Sequence, residues 1–439
     1  MTMMMMKKMR TRTLVVVAFA LAMAVGRLAP AQDEVYLKVT NPGLSRVVIA
    51  VPDPGSRPGT DPAAAALFVA TLRKDLGETA VVGLVPEENA KLVVVDPANP
   101  TLTHQRWRAV GAQFLLDGNF AGAGNQLVFE TRLWDLTSGE VAFSRRIQGT
   151  VSLAATMAHT LANELVHLFT GRPGPFLSRI AFVSDRTGAK ELWVMRWDGA
   201  DAQQLTTYRS IALSPAWSPD GEWLAFTSFL RGPSQLFILR PTQGYLKTLS
   251  TLPGVNSSPS FSPDGKTVAF AAGPDGVTDI YTVPVQGGTP ARLTHTLGIS
   301  TQPAWSPSGR QIAYTSNAGG SPQLYVMDAE GTNVRRLTFE DTYADEVAWA
   351  PDGVKVAYTT LVGDRFQIAT LDLRTNERTI IPGPGNNESP CWSPDGTILA
   401  FVSNRTGTRQ IFITDPSGRP RQITDKGNNI QPAWVAQVQ

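Results

Sequence analysis

Residues able to carry catalysis are few and scattered. The chain of 439 residues has four histidines (His104, His159, His167 and His295) and one cysteine, Cys391. Metal or acid–base chemistry built on imidazoles needs several of them brought together, and a disulfide framework needs a second sulfur. No G-x-S-x-G occurs, so the strand–turn–helix that presents a nucleophilic serine is missing. His159 and His167 lie eight apart on one expected helix, with no third ligand nearby in sequence, and packing is the role expected of them. His295 reads as a surface residue. Cys391 stands beside an aromatic where sibling segments carry Ala, Ser or Val, which suits a small buried thiol. Four aspartates recur at one phase, Asp220, Asp264, Asp352 and Asp395, each followed by glycine. Pro presets φ, Asp caps locally and Gly accepts positive φ, so these make a repeated tight turn rather than a catalytic set. The basic clusters Arg145-Arg146, Arg335-Arg336 and Arg419-Pro420-Arg421 read as solvated edges. A formal net charge of +2 gives no nucleic-acid signal. No catalytic residue, metal or cofactor is expected, and the chain is not read as an enzyme.

The recurring turn belongs to a longer repeat. PAWSPDG at 215–221 returns as PSFSPDG at 259–265, PAWSPSG at 303–309, EVAWAPDG at 346–353, PCWSPDG at 390–396 and PAWV at 432–435. The aromatics Trp217, Phe261, Trp305, Trp349, Trp392 and Trp434 are spaced by 44, 44, 44, 43 and 42 residues. Three further runs keep step: an apolar-Ala-aromatic triplet (LAF, VAF, IAY, VAY, LAF), an alternating run such as QLYVM at 323–327, and a short segment ending in LT or IT. Four short runs per repeat, split by Gly, Asp, Asn and Pro, are four strands, and that period is the mark of a β-propeller blade. The aromatics are expected to pack between blades. The phase also predicts how the ring closes. The first blade starts with its second strand at Ile180, and its missing innermost strand comes from Gln431–Val435. Six blades result, closed by the C-terminal strand, which removes an open sheet edge.

The rest of the chain precedes this ring. Lys7, Lys8, Arg10 and Arg12, an apolar run from Leu14 to Val25, and Ala29-Pro30-Ala31 form a secretory signal pattern with a cut expected after Ala31. Removing 1–31 takes away five basic residues and no acid, leaving 34 basic against 37 acidic residues and a net charge of −3. Residues 32–170 lack the repeat and alternate helix with strand, giving an α/β domain. Strands are expected at Val47–Val51, Ala80–Leu84, Leu92–Val95 and Gln113–Leu116. Helices are expected at Pro62–Asp75, Leu102–Gly111 and Ser152–Phe169, and a hairpin joins Leu127–Trp134 to Glu140–Ile147 around Thr137-Ser138-Gly139. Residues 171–178 form a linker, and 179–439 the six-bladed all-β propeller.

Propeller strands alternate in direction, so the loops divide between two faces. The α/β domain enters at the start of a second strand, which leaves the opposite mouth free. Its rim is formed by residues that lead into each innermost strand. These differ between repeats while the PxW frame stays constant, as an asymmetric protein ligand requires. Leu213, Val255, Asn256, Ser258, Thr301, Gln302, Asp345, Glu388 and Ile430 are the candidate contacts. A second candidate is the mature N-terminus, Asp33, Glu34, Val35, Tyr36, Leu37, Lys38 and Val39, whose alternation would let it pair as a strand or dock between domains.

Several segments together resemble the TolB family: HTLANELVHLFTGRPGPFLSRIAFVS at 159–184, WRAVGAQFLLDGNF at 107–120, RLWDLTSGE at 132–140, and the PAWSPDG-type repeats. Asn163 stands where the family has an acid, Ser308 where it has Asp, and Ala350 where it has Ser. The resemblance implies a soluble, monomeric, non-enzymatic periplasmic protein of the Tol–Pal system. In that reading the propeller mouth binds Pal, a peptidoglycan-associated lipoprotein, through positions that map onto Val255, Ser258 and Thr301. The family often has His at the first of these. The segment Asp33–Val39 is implied to be a switch communicating with TolA. Outer-membrane integrity, invagination during division and bacteriocin entry are the implied roles, with other outer-membrane proteins and bacteriocins as further partners. The implied partners include no nucleic acid, and no direct membrane insertion is expected. The alternative is a periplasmic propeller hydrolase or lyase, or a glycan-binding module, working in the channel.

Overall fold

The computed structural model describes residues 46–79, 81–96, 98–274, 277–414 and 419–436. The expected signal peptide and its cleavage site lie outside them. The first domain is a mixed sheet carrying helices on both faces. Its strands are β1 (Val47–Ala50), β2 (Gly55–Ser56), β3 (Val82–Leu84), β4 (Phe114–Ala121), β5 (Gln126–Asp135) and β6 (Val141–Thr150), in the order β3-β1-β4-β5-β6 with β2 beside β4. β1 runs parallel to β3 and β4, and the β4–β5–β6 meander is antiparallel. Helix α1 (Pro62–Gly77) starts where Asp61 Oδ1 accepts the amides of Ala63 and Ala64, with Pro62 preset at the first helical position. α2 (Glu87–Ala90) and α3 (Pro100–Ala109) follow. The last helix, α4 (Ala154–Thr170), stops at Gly171, whose left-handed φ of 72° only glycine adopts cheaply. Neighbouring Leu115 and Leu116 face opposite sides of the sheet. Leu116 joins α1 and α4, while Leu115 joins Trp107 of α3.

Leu92–Val95 departs from expectation: it is an irregular segment after α2, not a strand. Leu92, Val94 and Val95 are exposed, and the Val94 carbonyl is held by Arg106 at 2.6 Å. β-branched composition favours a strand only where another strand offers a ladder, and among the described residues none lies beside this segment. The β4–β5 hairpin is longer than the short strand expected from Gln113 to Leu116.

The propeller has six four-stranded antiparallel sheets among the described residues. The innermost (A) strands are Ala212–Trp217, Val255–Phe261, Ser300–Trp305, Ala344–Trp349, Asn387–Trp392 and Asn429–Val435. The last of these pairs with Arg179–Ser184, so C-terminal chain completes the blade that the N-terminal side begins. The LT segments turn out to be clips. Counting strands A to D outward in each blade, in four blades a threonine just past strand D accepts with its hydroxyl the amide of a strand-C residue and donates to the side chain of the residue before it. The Thr338 Oγ1 clip lies 3.0 Å from Leu324 N and 2.7 Å from Gln323 Oε1. Thr206, Thr294 and Thr424 do the same for Leu192 and Glu191, Ile280 and Asp279, and Ile411 and Gln410. Both partners of Thr338 are buried, so Thr338→Val orphans an amide and an amide oxygen. A loss of about 1–3 kcal/mol is expected in denaturant unfolding, and an unchanged midpoint would refute the clip.

The two domains share one apolar cluster, in which Phe68, Leu76 and Leu161 meet Phe176, Trp197, Ile398 and Ile413. Polar contacts frame it. Lys74 pairs with Asp198 at 3.1 Å, Glu78 pairs with Arg421 at 2.7 Å, and Asn163 Oδ1 accepts the Phe176 amide at 3.0 Å. The amide of Asn163 thus performs the acceptor role that a carboxylate would. His159, expected to pack, sits buried in this interface, and His295 is exposed.

Candidate functional site

Every innermost strand carries the same defect. Its register slips across the PxW frame, between Leu213 and Ala216 in one blade and at the same phase in the other five. Pro215, Pro259, Pro303, Pro390 and Pro432 have no N–H for the ladder, so the strand bulges there. Val347 replaces proline in the remaining blade and the bulge persists. The residue at each bulge is left-handed although it is not glycine: Ser214, Ser258, Gln302, Glu346, Ser389 and Gln431 have φ of 51–59°. Such residues cost about 1–3 kcal/mol each and survive where surroundings over-determine them. Here the long ones tie neighbouring blades. Gln431 Oε1 accepts Ser214 N at 2.8 Å, Gln302 Oε1 accepts Glu346 N at 2.8 Å, and Glu346 Oε2 accepts Ser389 N at 2.6 Å.

All the loops that lead into these strands open on one face, together with the loops joining strands B and C. The α1 and α4 contacts to Arg196, Asp198 and Arg421 lie near the opposite face, at turns joining strands C and D. One mouth therefore stays clear of the described residues of the first domain. Exposed apolar side chains gather there: Ile211, Phe229, Val255, Leu297, Ile299, Phe339 and Val362, with Phe339 74% accessible and Leu297 completely so. Apart from Val255, sequence reasoning missed these. Their signal is a large apolar residue in a turn-rich segment, outside the strand alternation.

The expected contact residues are brought together, with different access. Val255 is exposed. Leu213, Ser258, Thr301, Gln302, Asp345, Glu388 and Ile430 are half-buried at or next to the bulges. Asn256 is not accessible: it is fully buried, and its amide binds the Ser250 hydroxyl and the carbonyls of Ser234 and Leu252. The alternation of the strand turns Asn256 inward, so it braces the rim instead of presenting to a ligand. Asp33–Val39 lie outside the described residues.

Glu346, absent from the expected contacts, sits half-buried at this mouth among hydroxyl and amide donors. Thr359 Oγ1 donates to its Oε2 at 2.7 Å and Ser389 Oγ to its Oε1 at 2.7 Å, besides the Ser389 amide. Burial pushes its carboxyl above the usual range, and these donors pull it part of the way back. Asp345 accepts the Tyr343 hydroxyl at 2.8 Å, and Glu388 lies 3.7 Å from Arg409. Cys391 is half-buried against the next blade, where Trp434 N donates to Sγ at 3.2 Å, and desolvation of the sulfur raises its thiol to about 11. It is a packing residue. Among the described residues, no three His, Cys, Asp or Glu side chains converge to hold a metal ion.

The fold defines a class: a two-domain protein in which an α/β domain precedes a six-bladed β-propeller. Residues 166–438 match the family described as the TolB beta propeller domain, and residues 35–142 match the TolB amino-terminal domain. The chain belongs to the TolB family. The Tol-Pal system protein TolB of Desulfosudis oleivorans is 36% identical over 194 residues, 43% of this chain and 44% of that one. Its counterpart in Geobacter sulfurreducens is 36% identical over 193 residues, again 44% of its length, so the chain spans under half of these relatives. The crystal structure of TolB from Acinetobacter baumannii superposes with a TM-score of 0.77 at 25% identity, covering 89% of this chain and 96% of that one.

Proposed function

We propose that this protein is a periplasmic component of a Tol–Pal system, and that its free mouth binds the peptidoglycan-associated lipoprotein Pal. The carrying observation is the apolar, blade-asymmetric rim on the face opposite the α/β domain. Leu297 and Phe339 stand exposed in loops on that face, where a partner could cover them. The names of the relatives support the system, and the signal-like residues 1–31 support export with cleavage after Ala31. Domain limits of 32–170 and 179–439, with a linker between, are part of this reading. So is communication of Asp33–Val39 with TolA in support of outer-membrane integrity and division, and so is exploitation by bacteriocins. No helix of the described residues is long and apolar enough to cross a membrane.

The test is calorimetric titration of the mature protein with the periplasmic domain of the cell's own Pal. Ser258→Arg and Thr301→Arg place bulk and charge beside adjacent bulges. Each is expected to weaken binding at least about tenfold with an unchanged melting temperature. Absence of binding by the wild type would sink the proposal, and unchanged affinity in both variants would move the site elsewhere.

A further inference from the structure

One chain of polar contacts crosses the domain boundary through an imidazole. Asp75 Oδ2 of α1 lies 2.6 Å from His159 Nδ1 of α4, and Arg196 Nη2 of the first blade lies 2.8 Å from His159 Nε2. Asp75 and His159 are 0% and 4% accessible, so water does not stand in for a partner that is lost. A guanidinium only donates, and its bond to the ring exists only while Nε2 keeps a lone pair. A proton added at Nε2 turns that acceptor into a donor and sets imidazolium against guanidinium across the same 2.8 Å. Histidine is the side chain whose charge ordinarily changes between about pH 5 and about pH 8. Arg196 also has acceptors to fall back on. Its Nη2 lies 3.3 Å from Asp198 and its Nη1 3.5 Å from Asp201, both in its own blade, while its Nε is buried without a partner. A guanidinium drawn toward Asp198 competes there with Lys74 of α1, which holds that carboxylate at 3.1 Å. One proton thus bears on two ties across the boundary. The other charges on these elements are paired among themselves: Glu78 of α1 with Arg421 at 2.7 Å, and Glu164 of α4 with Arg145 at 2.8 Å. Asp75 is the competing seat. Its Oδ1 has no partner and burial raises its carboxyl, but a proton there leaves the bond between His159 and Arg196 standing.

We propose that His159 is a proton-sensitive latch between the domains: a proton on Nε2 releases Arg196 to Asp198 and Asp201, and the α/β domain then moves against a propeller that stays folded. The released arrangement holds one proton more than the latched one, so acid favours it, by at most about tenfold in the equilibrium per pH unit. The apolar cluster with Phe68, Leu161, Phe176 and Trp197 carries no charge and keeps the domains joined. Dyes on Glu88→Cys and Gln243→Cys, exposed positions in the two domains, report the distance between them by energy transfer in a Cys391→Ser background. Transfer is read from about pH 8 to about pH 4.5, beside circular dichroism. It is expected to change reversibly as pH falls, with a constant dichroism spectrum. His159→Gln keeps an acceptor and a donor in the bridge but takes no proton, so its transfer should not respond to pH. Asp75→Asn removes the anion beside the ring and should move the midpoint about one unit lower. Should His159→Gln not fold, the direction of the Asp75→Asn shift decides. Constant transfer in the wild type overturns the latch, and so does a response that survives in His159→Gln. A response that Asp75→Asn abolishes or moves upward puts the proton on the carboxyl and overturns it too. A change that coincides with loss of dichroism is unfolding, which also overturns it.

Discussion

A chain ending at Asn428 is expected to lose the cooperative unfolding transition of the propeller. Strand Asn429–Val435 pairs along the whole of Arg179–Ser184, some 250 positions earlier, from Asn429 opposite Ser184 to Val435 opposite Arg179. Without it Ile180, Phe182 and Val183, all fully buried, lose the layer between them and the axis. Each such side chain returned to water costs about 1.5–3 kcal/mol, and three of them consume most of the ~5–15 kcal/mol that holds an ordinary domain folded. Polar losses add to this. Trp434 Nε1 donates to Ser178 Oγ at 2.6 Å, Asn429 Oδ1 accepts the Arg186 guanidinium at 2.8 Å, and Gln431 spans to the next blade. The Arg186 loss is severe, because among the described residues no carboxylate lies within hydrogen-bond reach of this cation and Asp425 acts on it only from a distance. The guanidinium lies over the rings of Phe182 and Trp193, with Ser184 and Asn429 as its acceptors. The truncated protein also exposes a β-strand edge on which other copies can pair. Circular dichroism during heating checks this. A sharp transition within a few degrees of the full chain would show that the ring does not depend on its closing strand.

Much of this architecture was legible because a propeller writes its geometry once per blade. Five copies of a turn, six of a triplet and four of an LT or IT segment fix strand number, strand order and the phase of closure. The PxW motif even marks the bulge, since proline removes a ladder donor at a constant position. What stayed hidden depends on neighbours distant in sequence. Nothing local says that Leu92–Val95 lacks a partner strand, or that Asn256 turns inward while Val255 turns outward at a strand's first residue. Glu346 reads as one more rim acid until Ser389 and Thr359, from 43 and 13 positions away, are seen to enclose it. The apolar rim was obscured for another reason. Its side chains sit in loops, where periodicity carries no information about direction.

The least legible feature is the network joining the domains, and its disruption is the second large effect expected. His159 on α4 stands between Asp75 of α1, whose Oδ2 is 2.6 Å from Nδ1, and Arg196 of the first blade, whose guanidinium is 2.8 Å from Nε2. Arg196 can only donate, so Nε2 accepts and the imidazole's single N–H, on Nδ1, goes to Asp75. Asp75 is completely buried and its Oδ1 has no partner. His159→Leu removes the one side-chain donor to a buried carboxylate, and a cost of about 3–5 kcal/mol is expected. The double variant His159→Leu, Asp75→Leu removes the stranded charge too and should recover a large part of that loss, since well-packed apolar pairs replace buried polar ones cheaply. The pH dependence carries the same signature. Burial holds the Asp75 carboxyl above its ordinary value, with His159 offsetting part of the rise. A carboxyl whose folded pKa is raised binds its proton more tightly in the folded state. Its contribution is full below the unfolded value of 3.8 and is lost as pH climbs through the raised value. Removing His159 takes away the offset, so in the single variant that loss should extend to higher pH than in the wild type. In the double variant it should vanish. Denaturant unfolding of the three proteins across this range measures both effects, and a double variant less stable than His159→Leu alone would refute the coupling.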